Sequence, residues 1–291
     1  MKRILITGSS GFVGKYLKGI LKSMGYYCIG IDKIVDLDDL DEFYLHDLTT
    51  PFHIEISFDI CIHLASAVWW IIFNIEHADI ITYNNLINHN TVNIFHKSHG
   101  KQFLFFSTIN VFETNSTFLH EKLWSIDQAT WYAISKAISE KFFEGIVENL
   151  VVIRPTNIFG KNQIKSHEKV WESHVIPDLL HKISLADKNI EVFGDWSQIR
   201  NFVHVIDLCK FLVNIFWLKW KHYFNLRSEI LITIWELSKE LIEFAWKNLD
   251  IVYNTDYMKY EKFKIHNFDM SYPMRFGFIN KFSSIVEWLQ I

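Results

Sequence analysis

Short apolar runs alternate with longer amphipathic stretches through the first 155 residues of the chain. The apolar runs are rich in β-branched and aromatic residues and are bounded by glycine, proline or polar residues, as buried strands are. They predict strands at Arg3–Thr7, Tyr27–Ile31, Ile60–Leu64, Phe103–Ser107 and Leu150–Arg154. The amphipathic stretches between them predict helices at Phe12–Met24, Asn84–Ser98 and Trp131–Val147. This alternation indicates an α/β fold, a doubly wound parallel (Rossmann) sheet with helices on both faces.

After Pro155 the alternation gives way to longer loops and more widely spaced elements. The pattern there predicts a helix near Ile176–Ser184, a strand at Glu191–Phe193, and helices near Asp207–Phe216 and Ile234–Trp246. This mixture is typical of a smaller α+β lobe packed on the first domain. We therefore expect one domain over residues 1–155 and a second over 156–291, with some C-terminal segments returning to the first.

Composition and charge exclude several classes of protein. With 291 residues, of which 49% are hydrophobic, the chain is long enough to bury a large core. The net charge of -4 lacks the basic field that binds nucleic acids or anionic membrane surfaces. No apolar run in the sequence reaches the roughly 18 residues of a membrane span. We therefore expect a cytoplasmic protein that binds neither nucleic acid nor a membrane.

The cysteines and histidines follow no pattern of a disulfide framework or a metal site. Cys28, Cys61 and Cys209 lie far apart, each inside an apolar run, which predicts small core residues in a reducing compartment. The 14 histidines are scattered without ligand spacing, so we expect no metal centre.

The first predicted strand runs directly into a glycine-rich segment, Thr7-Gly8-Ser9-Ser10-Gly11-Phe12-Val13-Gly14, which we call the glycine loop. Its glycines allow backbone amides to approach a pyrophosphate at a helix N-terminus. The strand before the loop and the amphipathic helix after it favour a dinucleotide site over an ordinary βα turn. The residues expected to hold the cofactor here are Gly8, Ser10, Gly11, Phe12, Val13 and Gly14.

Asp32 ends the second predicted strand, about twenty residues beyond the glycine loop. A carboxylate there can accept both hydroxyl groups of an adenosine ribose and would repel a ribose phosphate, so NAD is favoured over NADP. Lys33 beside it keeps NADP possible. Asp47 and Leu48, after the next short segment, are expected near the adenine.

Tyr132 and Lys136 lie four residues apart on a predicted helix and therefore share one face. A lysine cation stabilises a tyrosinate and lowers the pKa of the phenol, so the tyrosine can exchange a proton with a substrate hydroxyl. The alternative interpretation is that Tyr132 and Lys136 are simply paired at the protein surface. Thr108 follows the strand that ends at Ser107, where a hydroxyl can hydrogen-bond a substrate oxygen. Ser107 competes for that role, and a strand-end cap is the alternative for Thr108.

With these residues, the chain resembles the extended short-chain dehydrogenases/reductases, in particular the nucleotide-sugar epimerase/dehydratase/reductase family. The resemblance runs nearly end to end. The segments that carry it are Thr7–Gly14, Asp59–Ser66, Ser107–Phe112, Tyr132–Lys136, Arg154–Gly160 and Phe193–Val205.

The resemblance implies a role for each matching position. Thr108, Tyr132 and Lys136 would form the catalytic trio, and Tyr132 and Lys136 would also contact the cofactor. Thr108 would in addition bind substrate. Further cofactor contacts would come from Leu64, Ala65 and Pro155, and Asn84 or Asn85 would lie near the cofactor. Asn157 and Arg200 would bind the diphosphate of a nucleoside diphosphate sugar, since the planar guanidinium binds phosphate through two hydrogen bonds.

Departures from the family pattern narrow the expected reaction. Dehydratases of the family place an Asp-Glu pair directly after the catalytic threonine, whereas this chain has Ile109 and Asn110 there. Elimination of water is therefore not expected. Glu113, Trp196 and Ile206 also depart from the pattern, on the substrate side.

Three hypotheses about the function remain. The first is an NAD-dependent epimerase that acts at C4 of the sugar through a transient keto sugar. The second is an NAD(P)H-dependent reductase of a nucleotide-4-keto-6-deoxysugar, and the third is a dinucleotide-sensing binding protein without catalysis. We further expect a homodimer formed through Asn84–Ser98 and Trp131–Val147, and a role in polysaccharide biosynthesis.

Overall fold

A computed structural model of the chain describes residues 1–68, 76–112, 130–161, 163, 174–256, 268–281 and 284–290. Its strands are β1 (Arg3–Thr7), β2 (Tyr27–Asp32), β3 (Glu42–Leu45), β4 (Ile60–His63), β5 (Gln102–Phe106), β6 (Leu150–Pro155), β7 (Asn157–Phe159), β8 (Asn189–Phe193), β9 (Ile199–His204), β10 (His222–Leu226), β11 (Leu231–Thr233) and β12 (Asp250–Asn254). Its α-helices are α1 (Phe12–Ser23), α2 (Ile80–Lys97), α3 (Trp131–Ile146), α4 (Val175–Leu185), α5 (Val205–Asn214), α6 (Ile234–Phe244), α7 (Ser271–Arg275) and α8 (Ile285–Gln290).

The central sheet has the order β3-β2-β1-β4-β5-β6-β10, and each of its pairings is parallel. This arrangement confirms the predicted doubly wound fold. The predicted strands of the first domain are confirmed, with ends that differ by no more than one residue. Strands β3 and β10 were not predicted.

Alternation along β1 shows how the sheet is covered on both faces. Ile4 and Ile6 pack on one face, in a cluster that includes Leu17 of α1. Leu5 points to the opposite face and packs with a cluster that includes Phe143 of α3. Side chains two apart share a face of a strand, so the run of apolar residues in β1 serves two layers of helix at once.

Three C-terminal segments return to the central sheet, and the last of them, α7, packs on β10 through Tyr272 against Phe224. Helix α5 packs on α1 through a cluster that includes Leu208 and Phe211. Strand β10 then pairs with β6, with Phe224 opposite Ile153. The sheet therefore takes its last strand from beyond residue 155, and the division at that position into two domains stays a prediction.

The rest of the C-terminal part forms a small α+β lobe. It contains a three-stranded sheet with the order β11-β9-β7 and a two-stranded parallel sheet of β12 and β8. Helices α4, α6 and α8 close a separate apolar cluster around Leu237 and Leu241. The predicted helices in this part are confirmed with small shifts at their ends, and the predicted strand near Glu191 extends back to Asn189.

Other sequence predictions concern the core and the surface. Cys28, Cys61 and Cys209 are free thiols in the core, as predicted. Within the described part of the chain, no helix is both long and apolar enough to cross a membrane. Glu113 lies outside the described residues.

Candidate functional site

The glycine loop turns tightly at the end of β1. Gly8 has a φ of +72°, and a Cβ atom there would lie 2.7 Å from the backbone nitrogen of Ala65. A Cβ atom on Gly14 would lie 2.5 Å from the carbonyl oxygen of Gly8. Gly11 is the N-cap of α1 and contributes no side-chain cap to its first turn. The loop is therefore a backbone cradle at a helix N-terminus, and its form fits the pyrophosphate of a dinucleotide.

The ends of β2 and β4 meet the glycine loop. The backbone N–H of Ser10 donates to a carboxylate oxygen of Asp32 at 2.9 Å. The backbone N–H of Leu64 donates to the carbonyl of Thr7 at 3.1 Å, and the following residue is Ala65, which lies against Gly8. The structure thus brings together predicted cofactor residues from three strands at the carboxyl edge of the sheet. Their contact with a cofactor stays a prediction.

Asp47 and Leu48 lie on the segment after β3. The carboxylate of Asp47 accepts hydrogen bonds from the backbone N–H and the hydroxyl of Thr49, a local turn that lowers the pKa of this exposed carboxyl group. Leu48 is buried, and its carbonyl accepts from the side-chain amide of Asn90 on α2 at 2.8 Å. The adenine role of Asp47 and Leu48 stays a prediction.

Tyr132 and Lys136 share one face of α3, as predicted. The helix starts at Thr130, whose hydroxyl oxygen accepts from the backbone N–H of Ala133 at 3.1 Å. The Lys136 amine donates to the carbonyl of Phe106, the last residue of β5, at 2.8 Å and lies 5.8 Å from the centre of the Tyr132 ring. This contact places the tyrosine–lysine pair beside the strand end that leads to Thr108.

Burial changes the protonation of this pair. It raises the pKa of Tyr132 above its usual value. It also lowers the pKa of Lys136 to about 7, against an opposing effect of the Glu140 carboxylate. The expected lowering of the Tyr132 pKa is therefore not what the structure shows, because desolvation of the phenol outweighs a lysine that donates to a carbonyl. Near neutral pH the Lys136 charge is poised to change, and with it the stability of a Tyr132 phenolate.

Ser107 and Thr108 have different partners. The Ser107 hydroxyl donates to the buried carboxylate of Glu140 on α3. The Thr108 hydroxyl oxygen accepts from the backbone N–H of Asn110 at 3.3 Å and caps the short 3-10 helix Ile109–Val111. Because the Ser107 proton is committed to Glu140, Thr108 is the better candidate for contact with a substrate oxygen.

Asn84, and not Asn85, is tied to the site. Asn84 is buried, and its amide oxygen accepts from the backbone N–H of Ala67 at 2.7 Å. Its amide nitrogen donates to the hydroxyl of Ser135, the neighbour of Lys136, at 2.9 Å. Asn85 is exposed. One side chain thus joins the loop after β4 to α3.

The predicted substrate residues lie on neighbouring strands of the small lobe. Asn157 is two residues beyond Pro155, the last residue of β6, and its amide donates to the carbonyl of Asn201 at 3.0 Å. Arg200 is half-buried in β9, where one guanidinium nitrogen donates to the carbonyl of Ile199 at 3.1 Å. The structure brings Asn157 next to the Arg200 segment, and the diphosphate contact stays a prediction.

The sequence model of the NAD dependent epimerase/dehydratase family matches residues 4–219. The chain belongs to this family. The membership confirms the resemblance found in the sequence, and the family's enzymes depend on NAD.

Individual relatives of the family differ in their reactions. The chain is 25% identical to dTDP-D-glucose 4,6-dehydratase of Homo sapiens, an alignment that covers 94% of this chain and 82% of the relative. Its structure is similar to that of UDP-glucose 4-epimerase from Thermotoga maritima, with a TM-score of 0.82 at 20% identity over 99% and 96% of the two chains. The UDP-N-acetylglucosamine 4-epimerase of Methanobrevibacter ruminantium gives a TM-score of 0.83 at 19% identity over 99% and 96%. These structural likenesses show the fold.

His63, at the end of β4, contacts the first residue of the glycine loop but was not among the predicted site residues. The Thr7 hydroxyl oxygen accepts from the backbone N–H of Ala65 and lies 2.7 Å from Nδ1 of His63, so its own proton is available to that nitrogen. Nε2 of His63 lies 3.0 Å from the amide oxygen of Asn88 on α2, which accepts its proton. These contacts satisfy both ring nitrogens of a neutral imidazole, which links the start of the glycine loop to the helix layer.

Burial lowers the pKa of His63 to about 3. The folded-state value lies below the value of 6.5 for a free histidine, so the unfolded chain binds more protons between pH 6.5 and 3. Stability is therefore lost as the pH falls through this window. We expect His63→Gln to remove about 2–3 kcal/mol of the loss between pH 6.5 and 4.5, measured by urea unfolding. The control is His89→Gln, an exposed histidine on α2, and an unchanged acid slope in His63→Gln would contradict the assignment.

Asn201 was also not predicted. Its side-chain oxygen accepts from the Thr156 hydroxyl at 2.9 Å and from the backbone N–H of Ser228 at 3.0 Å, and its nitrogen donates to the carbonyl of Ile230 at 2.7 Å. It therefore joins β9 to the chain after β6 and after β10. An amide next to the predicted Arg200 was the available signal in the sequence.

Proposed function

We propose that the protein is an NAD-dependent epimerase that inverts C4 of a nucleoside diphosphate sugar through a transient keto sugar. The observation that carries the proposal is the position of Tyr132 and Lys136. Lys136 holds the catalytic helix to the carbonyl of Phe106, two residues before Thr108. Three groups suited to proton exchange at one sugar hydroxyl thus converge on the sheet edge that carries the glycine loop.

The cofactor in this proposal is NAD. The glycine loop would hold the pyrophosphate, Asp32 the adenosine ribose, and Leu64, Ala65 and Pro155 would line the remaining path. When bound, the nicotinamide supplies a reversible two-electron acceptor for oxidation of the sugar carbon. The orientation of Asp32 supports NAD over NADP, because its carboxylate is held by the Ser10 amide at the end of β2, where a ribose phosphate would meet a negative charge.

Proton transfer is the work of the chain's own residues. The Tyr132 oxygen takes the proton of the C4 hydroxyl as the sugar is oxidised and returns it when the keto group is reduced on the other face. The Lys136 cation stabilises the phenolate against the cost of its burial. The Thr108 hydroxyl orients the same sugar oxygen. No acid beyond the trio is needed, because Tyr132 returns in the reduction step the proton that it takes up in the oxidation step.

Elimination of water requires groups that this chain lacks at the expected place. The two positions after Thr108 hold Ile109, which is buried, and Asn110, whose backbone N–H bonds to Thr108. Neither side chain has a carboxyl group that could protonate a leaving hydroxyl or remove the neighbouring proton. This difference from dehydratases favours epimerisation, although the human relative above is a dehydratase.

The substrate side supports a phosphorylated sugar. Asn157 and the Arg200 segment lie together on the paired strands β7 and β9, and β7 follows Pro155 at the carboxyl end of β6. In the proposal Arg200 binds the diphosphate through its planar guanidinium, and Asn157 donates to it through its amide.

A panel of substrates tests the proposal. The purified protein is incubated with UDP-, dTDP-, GDP- and CDP-sugars and with their 4-keto forms, while NAD(P)H absorbance and the products are followed. We expect one nucleotide sugar to convert to its C4 isomer without net change in cofactor. Stoichiometric oxidation of NADPH by a keto sugar would instead establish the 4-ketoreductase, and dinucleotide binding without turnover would leave the sensing protein.

We also propose a homodimer formed through α2 and α3. Large apolar side chains stay exposed on both helices, with Tyr83 and Leu86 on α2 and Trp131 and Ile146 on α3. Two such helices from each subunit would bury these groups against one another. Sedimentation at several protein concentrations measures the assembly, and a monomer at micromolar concentration would contradict it.

A further inference from the structure

A fully buried ion pair lies behind the proposed catalytic residues. The Arg154 guanidinium, in β6, contacts the Glu140 carboxylate, in α3, through two hydrogen bonds of 2.6 and 2.9 Å. Both side chains are almost completely excluded from solvent, at 0% and 1% exposure. The arrangement is bidentate, which fixes the geometry as well as the charge of the carboxylate.

Such a pair is a poor source of stability. Moving two charges from water into the interior costs several kcal/mol for each ion. The attraction between the charges offsets this cost only when the geometry is excellent. Apolar residues of similar volume often replace a buried pair at no loss of stability. The position of this buried pair is therefore better explained by the residues that it holds in place than by a gain in stability.

The carboxylate of Glu140 lies between two parts of the site. It is one helical turn beyond Lys136, so the two side chains share a face of α3. It also accepts the hydroxyl proton of Ser107, the residue before Thr108, while Lys136 donates to the carbonyl of Phe106. Two successive residues at the end of β5 are thus fastened to α3, one through Glu140 and one through Lys136.

We propose that Glu140, held by Arg154 and Ser107, is a positioning residue that fixes the end of β5, to which the Lys136 ammonium is bound, and favours the charged form of that amine. The proposal rests on the proposed function in one respect, that the Lys136 charge supports Tyr132 as the base. Glu140 acts through Lys136. Arg154 in turn fixes the carboxylate, and it directly precedes Pro155 at the end of β6.

The charges around Lys136 support this role. From its own helix, Tyr132 and Glu140 face it. From β4, His63 faces it as a neutral ring, because burial holds the pKa of that histidine to about 3. Arg154 of β6 lies beyond Glu140 and is paired with it. Among the described groups, Glu140 is the anion that raises the pKa of Lys136 against the effect of burial.

The test is a titration of Lys136 in a double variant. Glu140→Gln with Arg154→Met removes both charges of the pair, so neither is left without the other, and an amide oxygen still faces Ser107. Lysine is labelled with carbon-13 at Cε, the Lys136 signal is assigned with Lys136→Met, and its pKa is measured by NMR on the protein as purified. We expect the pKa of Lys136 to fall by about one to two units. In the substrate assay, the alkaline loss of activity should move to lower pH by the same amount.

Two control variants separate positioning from general stability. Glu140→Asp keeps the negative charge and should leave the Lys136 titration within a few tenths of a unit of the wild type. Asp178→Asn breaks the ion pair with Lys182 on α4, in the small lobe, and should not move the Lys136 titration. Its effect is confined to the thermal midpoint.

An unchanged Lys136 titration in a folded double variant would overturn the proposal and leave the pair a structural one. If that variant does not fold, Glu140→Gln with Arg154→Gln keeps a hydrogen bond across the same contact and is measured in the same way. The titration needs no substrate. A failed substrate panel with a shifted titration therefore counts against the proposed function alone, and an unshifted titration with turnover counts against the role of Glu140 alone.

Discussion

Replacement of Tyr132 by Phe is expected to lower kcat by about 100- to 10,000-fold, the range for loss of a general acid–base group. The substitution removes the oxygen proposed to exchange a proton with the C4 hydroxyl and leaves the ring, which is half-buried on α3. Neither the Lys136 contact with Phe106 nor the Thr130 cap of α3 uses the phenol oxygen. The protein should therefore fold and bind dinucleotide as the wild type does.

Initial rates at several substrate concentrations, together with thermal unfolding, check this expectation. A loss of kcat with little change in KM is expected, since the missing interaction belongs to the transition state. Tyr44→Phe is the matched control, because it removes a phenol that donates to Glu42 at the far edge of the sheet. A Tyr132→Phe enzyme that retains kcat within a factor of a few would exclude Tyr132 as the base.

Replacement of Gly14 by Ala is expected to weaken NAD binding by about 10- to 100-fold. A Cβ atom there would lie 2.5 Å from the Gly8 carbonyl oxygen and 2.6 Å from the Ser9 carbonyl oxygen. Both neighbours are backbone atoms, so the loop itself must move to admit the methyl group. Overpacking of this kind costs about 1–3 kcal/mol, and the displaced amides are those proposed to hold the pyrophosphate.

Calorimetric titration with NAD measures the effect. Gly145→Ala is the matched control: a Cβ atom at Gly145, near the end of α3, would have no heavy atom within 4 Å. Alanine is the better helix former, so this variant should bind NAD normally and be no less stable than the wild type. Unchanged NAD affinity in Gly14→Ala would show that the pyrophosphate does not lie on this loop.

The strands of the central sheet could be predicted because their signal is local. A strand that is buried on both faces has an unbroken apolar run, and Ile4, Leu5 and Ile6 in β1 are an example. Strand β3 has only half-buried or exposed residues, so its pattern does not stand out. Strand β10 has a normal pattern, but its place beside β6 is set by packing across the whole chain, which the local sequence does not contain.

The site could be predicted as far as its residues follow strand ends. The glycine loop, Asp32 and Thr108 each lie at or just beyond the carboxyl end of a strand of one parallel sheet, and such ends meet at one edge. The supporting contacts are different, because they depend on which helix covers which strand. In the sequence, Glu140 does not differ from an ordinary charged residue on a helix. Only the structure shows that Arg154 pairs with it. The available signals were its spacing of four residues from Lys136 and an arginine in an otherwise apolar strand.

Family membership and the reaction rest on different grounds. The match over residues 4–219 shows the family, while the relatives include both a dehydratase and 4-epimerases. The choice of epimerisation over elimination depends on the residues after Thr108. Epimerisation at C4 is therefore distinguished from elimination by the fate of one hydrogen atom, the one on C4 of the sugar.

A nucleotide sugar that carries deuterium at C4 allows this hydrogen atom to be followed through the reaction. The isomer that the enzyme converts in the substrate panel is prepared with the label, and the product is examined by NMR and mass spectrometry. We expect a product inverted at C4 that retains its deuterium at C4, gains no carbon-bound hydrogen from water and leaves NAD unchanged in amount. Deuterium found at another carbon, or lost to solvent, would contradict it.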